Sequence, residues 1–131
     1  MTRKYSYWIS TSLLCLLYAV SATFYLTQGD TVRRLLAGLG YPGYLVPLLI
    51  GAKLAGIAAI LSRARVGLSD LAYAGMFYHL LLALSAHLNA HDYAGAPPAM
   101  VGLLLLATSF LTQNAARAIP SPYAPLRAPA R

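Results

Sequence analysis

At 131 residues the chain is 59% hydrophobic and only 10% charged, against about a quarter charged in an ordinary soluble domain. Its net charge of +7 raises nucleic acid as a partner. The basic residues, however, lie between apolar runs rather than on one polar face, which argues against nucleic acid and for the lipid bilayer. The single cysteine, Cys15, sits inside an apolar run; this excludes an intrachain disulfide and a cysteine metal site, and fits a small packing residue.

The first predicted span runs from about Trp8 to Leu26, close to the ~20 residues that cross a bilayer core. Arg3, Lys4, the apolar run and Val20-Ser21-Ala22 also fit a cleaved secretory signal; a polytopic chain normally keeps its first span, which is the preferred reading. In the connection that follows, DTVRRLLAGLG, Asp30 or Thr31 can cap a short helix. Val32, Leu35, Leu36 and Leu39 recur at helical spacing, Arg33 and Arg34 fall on the other face, and Gly40 can end the turn. That pattern suits a short amphipathic helix lying in the interface. Further spans are expected at about Leu45–Leu61, Leu71–Asn89 and Pro98–Gln113. The expected fold is therefore all-α: an integral membrane four-helix up-and-down bundle with a short interfacial helix between spans one and two. Residues 1–118 form the membrane domain. Residues 119–131 hold four prolines without apolar periodicity and read as a disordered cytoplasmic tail.

Orientation follows from Lys/Arg placement. Arg3, Lys4, Arg63, Arg65, Arg117, Arg127 and Arg131 share one side if all spans insert, whereas Arg33 and Arg34 lie on the other. Both termini are expected in the cytoplasm. Trp8, Tyr7 and Tyr73 then fall at the inner interface, and Tyr25, Tyr41, Tyr44 and Tyr93 at the outer one, as an aromatic belt would.

Lys53, in the middle of LLIGAKLAGIAAI, is the least expected residue. A central lysine costs ~2.5–3.5 kcal/mol on insertion scales, so it should face the bundle interior or a wet cavity, beside the small residues Ala52 and Gly56. No carboxylate lies inside a span. A stem that snorkels to one interface is the plain alternative. In the third span, Gly75, His79, Ala83, Ala86 and His87 make a small-or-polar stripe opposite Phe77, Leu81, Leu84 and Leu88. His79 should thus point inward near the depth of Lys53, within reach of the phenol of Tyr78 or Tyr18. Lys53, His79 and Tyr78 are the catalytic candidates; Tyr18, Gly56, Gly75, His87 and Asp92 are the ligand-binding ones. A single interhelical hydrogen bond would account for His79 equally well.

His87 and His91 are four apart and should share a helical face, forming with Asp92 a compact group that could hold a divalent metal. No third histidine lies near, and a polar helix end is the more ordinary reading, so no bound metal is expected. Phosphate loops, nucleophile elbows and paired intramembrane carboxylates are absent from the sequence.

YWISTSLLCLLYAVSATFYLT, LGYPGYLVPLLIGAKLAG and LSDLAYAGMFYHLLLALSAHLNAHD together resemble the DoxX-like membrane proteins over about Tyr7 to Thr112. The matching positions are Tyr41, Pro42, Lys53, Gly56, Tyr73, Gly75, His87 and Asp92. The resemblance implies a four-span bundle in the bacterial inner membrane; relatives named DoxX and DoxD are associated with quinone-linked sulfur oxidation. The chain departs from the family pattern at His79, commonly an aspartate, and at Leu82 and Ala86, usually a glycine and a serine. An aspartate in place of His79 would be a natural ion-pair partner for Lys53; here two bases are expected to face each other instead, with at most one of them charged.

Three functions stay open. The preferred one is a small membrane component that binds a quinone or other lipophilic molecule at the midplane, beside a membrane redox partner or as a homo-oligomer. The partner is required because the sequence has no haem, flavin or iron–sulfur motif. The second is a stand-alone membrane enzyme using His79 and Lys53 as an acid–base pair on a lipophilic substrate, which needs a cavity of ~300 Å³ or more. The third is a structural or assembly protein, which needs none.

Overall fold

The computed structural model describes residues 1–126. Regular structure among them is entirely helical: α1 (Thr2–Thr27), α2 (Gly29–Gly38), α3 (Leu45–Ser62), α4 (Val66–Asn89) and α5 (Pro97–Thr112), followed by a 3-10 turn at Gln113–Ala115. The four segments α1, α3, α4 and Pro97–Ala115 are long and apolar enough to cross a membrane. Helices suit that setting because hydrocarbon offers no partner for backbone N–H and C=O groups, so each span must satisfy its own. The expected bundle of four spans with a short amphipathic helix after the first is what the chain forms.

α1 and α4 begin about one turn or more before the apolar runs suggested, at Thr2 and Val66. The polar first turn of α1, with Thr2, Arg3 and Lys4, needs no apolar surface when it projects past the hydrocarbon. At α1 that turn is tied down by Arg3, whose Nη2 donates to the Leu111 carbonyl at 3.1 Å. Prolines at the first positions of α5 supply helical φ where no N–H partner is needed. α2 ends in a Schellman turn: Gly40 takes φ +86°, its N–H reaching Ala37 O while Tyr41 N–H reaches Leu36 O.

α1 packs against α3 and α5, and α4 against the same two. The spans therefore form a square in chain order, with α1 and α4 facing each other across a diagonal. Leu13, Leu16, Val20, Leu48, Leu54, Phe77, Leu81 and Leu104 point outward, toward lipid. Inside, Leu14, Cys15, Tyr18, Ile60, Tyr73, Met76, Leu80 and Leu106 form the core. Lipid tails are as apolar as leucine, so helix association leans on packing and interhelical hydrogen bonds. One such knot joins three spans in the half nearer the termini: Ser109 Oγ lies 2.6 Å from Thr11 Oγ1 and 2.6 Å from Tyr73 OH. At the end away from the termini, α2 buries Val32 and Leu36 against Val46, with Tyr25 and Tyr41 packed alongside. Leu35 stays exposed, and Arg33 pairs with Asp30 at 3.0 Å on the free face.

Residues 119–126, expected within a structureless tail, fold back onto the end of the bundle that holds the termini. Asn114 organises them: its Nδ2 donates to the carbonyls of Ser121, Ala124 and Pro125 at 3.0–3.1 Å, and its Oδ1 accepts the Ser121 N–H at 2.7 Å. Ser121 Oγ in turn donates to the Asp70 carboxylate at 2.8 and 2.9 Å. Prolines favour this because they lower the entropy of the unfolded strap and ask for few backbone partners. Arg127 and Arg131, counted above among the orienting charges, lie outside the described residues.

Candidate functional site

Lys53 is the ninth of the eighteen residues of α3 and only 5% exposed. It does not snorkel. Its ammonium lies 4.5 Å from the ring centroid of Tyr25 and 5.5 Å from that of Tyr18. Both distances are within the ~6 Å over which a ring face attracts a cation. The sequence offered no carboxylate partner, and the structure supplies aromatic faces instead. Tyr18 and Tyr25 are seven apart on α1 and so share a face, with Ser21 between them; the sequence shows that spacing, but the position of Tyr25 near the span end suggests only the interfacial belt.

Tyr18 is buried, and its hydroxyl lies 2.9 Å from His79 Nδ1, with the two rings edge to face at 5.6 Å. The same oxygen is 3.5 Å from the Met76 carbonyl. This contact crosses the diagonal of the square, where no helix backbone can. Tyr18 thus touches both bases: its ring faces Lys53 and its hydroxyl meets His79. His79 Nε2 makes no hydrogen bond among the described residues.

Tyr78 turns out to face the other way. It is 63% exposed and stacks edge to face on Phe77 at 5.5 Å, toward lipid. Consecutive helical residues point about 100° apart, so His79 and Tyr78 cannot both enter the core. Gly56 and Gly75 do come to the site. With Ala52, Ala55, Ala72 and Met76 they line a cleft of about 320 Å³ along the α3–α4 seam that ends on Tyr18, Lys53 and His79.

The expected His87–His91 face does not form. α4 stops at Asn89, and His91 takes the left-handed conformation, φ +55°, as the residue that reverses the chain. Its N–H bonds Leu88 O and that of Asp92 bonds His87 O, the Schellman pattern again. The side chain of His91 swings to Tyr93 OH at 3.0 Å. Asp92 instead returns to His87, Oδ2 to Nδ1 at 2.9 Å, and accepts the Gly95 N–H through Oδ1. Gly95 permits that approach, since a Cβ there would overlap the His87 ring and the Asp92 carboxylate. No group of three or more His, Cys, Asp or Glu side chains gathers in metal-binding geometry among the described residues. His87 lines a second cleft of about 170 Å³, which leads from the far end down to the same Tyr18, Lys53 and His79.

Against known proteins, the DoxX-like family matches residues 9–109. The chain belongs to the DoxX-like family. No curated protein and no solved structure gives a match. Membership agrees with the fold: a multi-pass membrane protein whose matched stretch takes in α2, α3, α4 and most of α1 and α5. Among DoxX-like features noted in the sequence, the midplane lysine here faces phenols and an imidazole rather than an acid.

Proposed function

We propose that this DoxX-like protein binds a lipophilic small molecule, of quinone type, which reaches Lys53 and His79 from within the bilayer, and that it works beside a membrane redox partner. The observation that carries this is the α3–α4 cleft. Its far wall is small and apolar, its volume passes the ~300 Å³ that a ligand pocket needs, and its polar end offers two groups suited to a carbonyl or hydroxyl. The Lys53 ammonium donates, and His79 Nε2 is free to donate or accept. Gly56 and Gly75 keep side chains out of the approach, and Tyr18 fixes the imidazole from behind. A protein whose polar residues only fixed helix packing would have no use for such a space, so the purely structural reading is the weaker one.

The same proposal places the chain in a bacterial inner membrane with both termini cytoplasmic. Lys53, His79 and Tyr18 are taken as the working group. Extraction and mass spectrometry of lipids bound to the protein purified in mild detergent test the site. The expected result is a stoichiometric lipophilic molecule that is lost in Lys53→Met and in Gly56→Leu, which fills the cleft. Identical lipid profiles in all three proteins would exclude the site. Reporter fusions test the orientation, with cytoplasmic activity expected after Arg65 and export after Tyr93.

A further inference from the structure

The two clefts share three lining residues and no others: Tyr18, Lys53 and His79. Beyond these the clefts differ in chemistry. The α3–α4 cleft has no other polar side chain; its walls are leucine, alanine, glycine and methionine. The second cleft, between α1, α4 and the start of α5, adds Ser21, Tyr25 and His87. These lie at successive turns above the shared group: Tyr18, Ser21 and Tyr25 on α1, and His79, Ala83 and His87 on α4. His79 and His87 are therefore separated by ~12 Å of helix rise. At the mouth stands the His87–Asp92 pair, whose side chains are 23% and 47% exposed.

A cavity holds water when it is polar and roomy, each molecule needing ~30 Å³ and partners for its hydrogen bonds. The second cleft meets both conditions; the first is roomier but, beyond its polar end, offers water no hydrogen-bond partner. We propose that the second cleft is a water-filled vestibule through which the His79 imidazole exchanges protons with the aqueous side opposite the termini, while the lateral cleft stays dry. The groups that face His79 are Tyr18 from α1 and Lys53 from α3; α5 contributes only Pro98 and Ala99 to this cleft, and α4 itself contributes His87. A hydroxyl of a molecule in the lateral α3–α4 cleft would give its proton to His79 Nε2, leaving its oxygen anionic beside the Lys53 ammonium, and the imidazolium would release its Nδ1 proton through the Tyr18 hydroxyl to vestibule water. The donor O–H bond breaks and one N–H bond forms, the other N–H bond breaks and an O–H bond forms on the water, and no oxidation state changes. This rests on the ligand reading only for the identity of the group on the lateral side.

Cysteine accessibility tests it without any ligand. In a Cys15→Ser background, Ser21→Cys and Ala83→Cys report on the vestibule, and Ala55→Cys and Ala72→Cys on the lateral cleft. A membrane-impermeant cationic methanethiosulfonate, applied from the side opposite the termini, should modify the first pair at least about tenfold faster than the second, because the reactive thiolate needs water. Ser21→Cys, nearly isosteric, carries the result if Ala83→Cys folds poorly. Equal rates, or faster modification from the termini side, would overturn the vestibule. In proteoliposomes with isotope-labelled histidine, His79 resonances should follow the pH of the side opposite the termini alone; following the other side would likewise overturn it. A bound lipophile with a dry vestibule would defeat this inference and leave the ligand site standing. A wet vestibule with no bound lipophile would do the reverse.

Discussion

Replacing Lys53 with methionine separates a residue kept for stability from one kept for chemistry. A central lysine costs ~2.5–3.5 kcal/mol relative to an apolar residue in hydrocarbon. Here it is 5% exposed and has no carboxylate. Its compensation is two ring faces, at 4.5 and 5.5 Å, each worth about 0.5–1 kcal/mol when wet and ~2 when desolvated. At one ring near and one at the margin, about 1–2 kcal/mol returns, leaving a net burden of about 1 kcal/mol. Methionine matches the unbranched stem and packs against the same rings through its sulfur. Lys53→Met should therefore raise the unfolding free energy by about 1 kcal/mol, as when buried ionic groups give way to apolar isosteres. Reversible unfolding in mixed micelles can be followed through Trp8, the only tryptophan, which packs on Tyr7 and Arg63 well away from the site. The same variant should lose the bound lipophile. A loss of stability above about 1 kcal/mol would refute the reasoning. The ammonium would then be a structural anchor, and its burial would say nothing about a ligand.

Three other changes probe different parts of the bundle. His79→Asp gives Lys53 a counter-ion and should fold with unchanged or higher stability in the same assay; failure to insert or fold would mean the imidazole–phenol contact is indispensable. Ser109→Ala removes the partner shared by Thr11 and Tyr73 and should cost about 1–3 kcal/mol, two interhelical bonds at membrane values plus two stranded hydroxyls. A change below about 0.3 kcal/mol would mean those hydroxyls find other partners. Gly95→Ala should part His87 from Asp92, costing about 1 kcal/mol and moving the His87 resonances; an unaltered His87 spectrum would show that the loop yields instead.

Much of this was legible in the chain. Apolar runs located the spans to within a turn or so, and the failure at the starts of α1 and α4 has one cause: hydropathy marks the membrane, not the helix. Lys53 and His79 could be matched by depth, because antiparallel neighbours of similar length put equal counts near equal heights. Tyr18 was available from its place on α1, but its bond to His79 crosses the diagonal, and pairwise reasoning between sequence neighbours does not reach there. Tyr78 and His79 are adjacent in sequence, but helical geometry separates them, Tyr78 facing outward and His79 meeting Tyr18. The pairing of His87 with Asp92 rather than His91 depends on a left-handed residue that is not glycine, which no spacing rule marks. The strap over residues 119–126 was hidden by its composition, since a segment without periodicity can still be held by one asparagine.

The Ser109 knot has a consequence for how the chain is made. Its three hydroxyls come from α1, α4 and α5, and α1 packs more extensively against α5 than any other two helices do. Spans leave the ribosome in order, so Thr11 and Tyr73 enter the membrane before their shared partner does. Until α5 arrives, two hydroxyls that end up buried lack the partner they share, and an unpaired hydroxyl is costly in hydrocarbon. Closure of this seam thus waits for α5, and a product ending before it would leave the Thr11 and Tyr73 hydroxyls without Ser109.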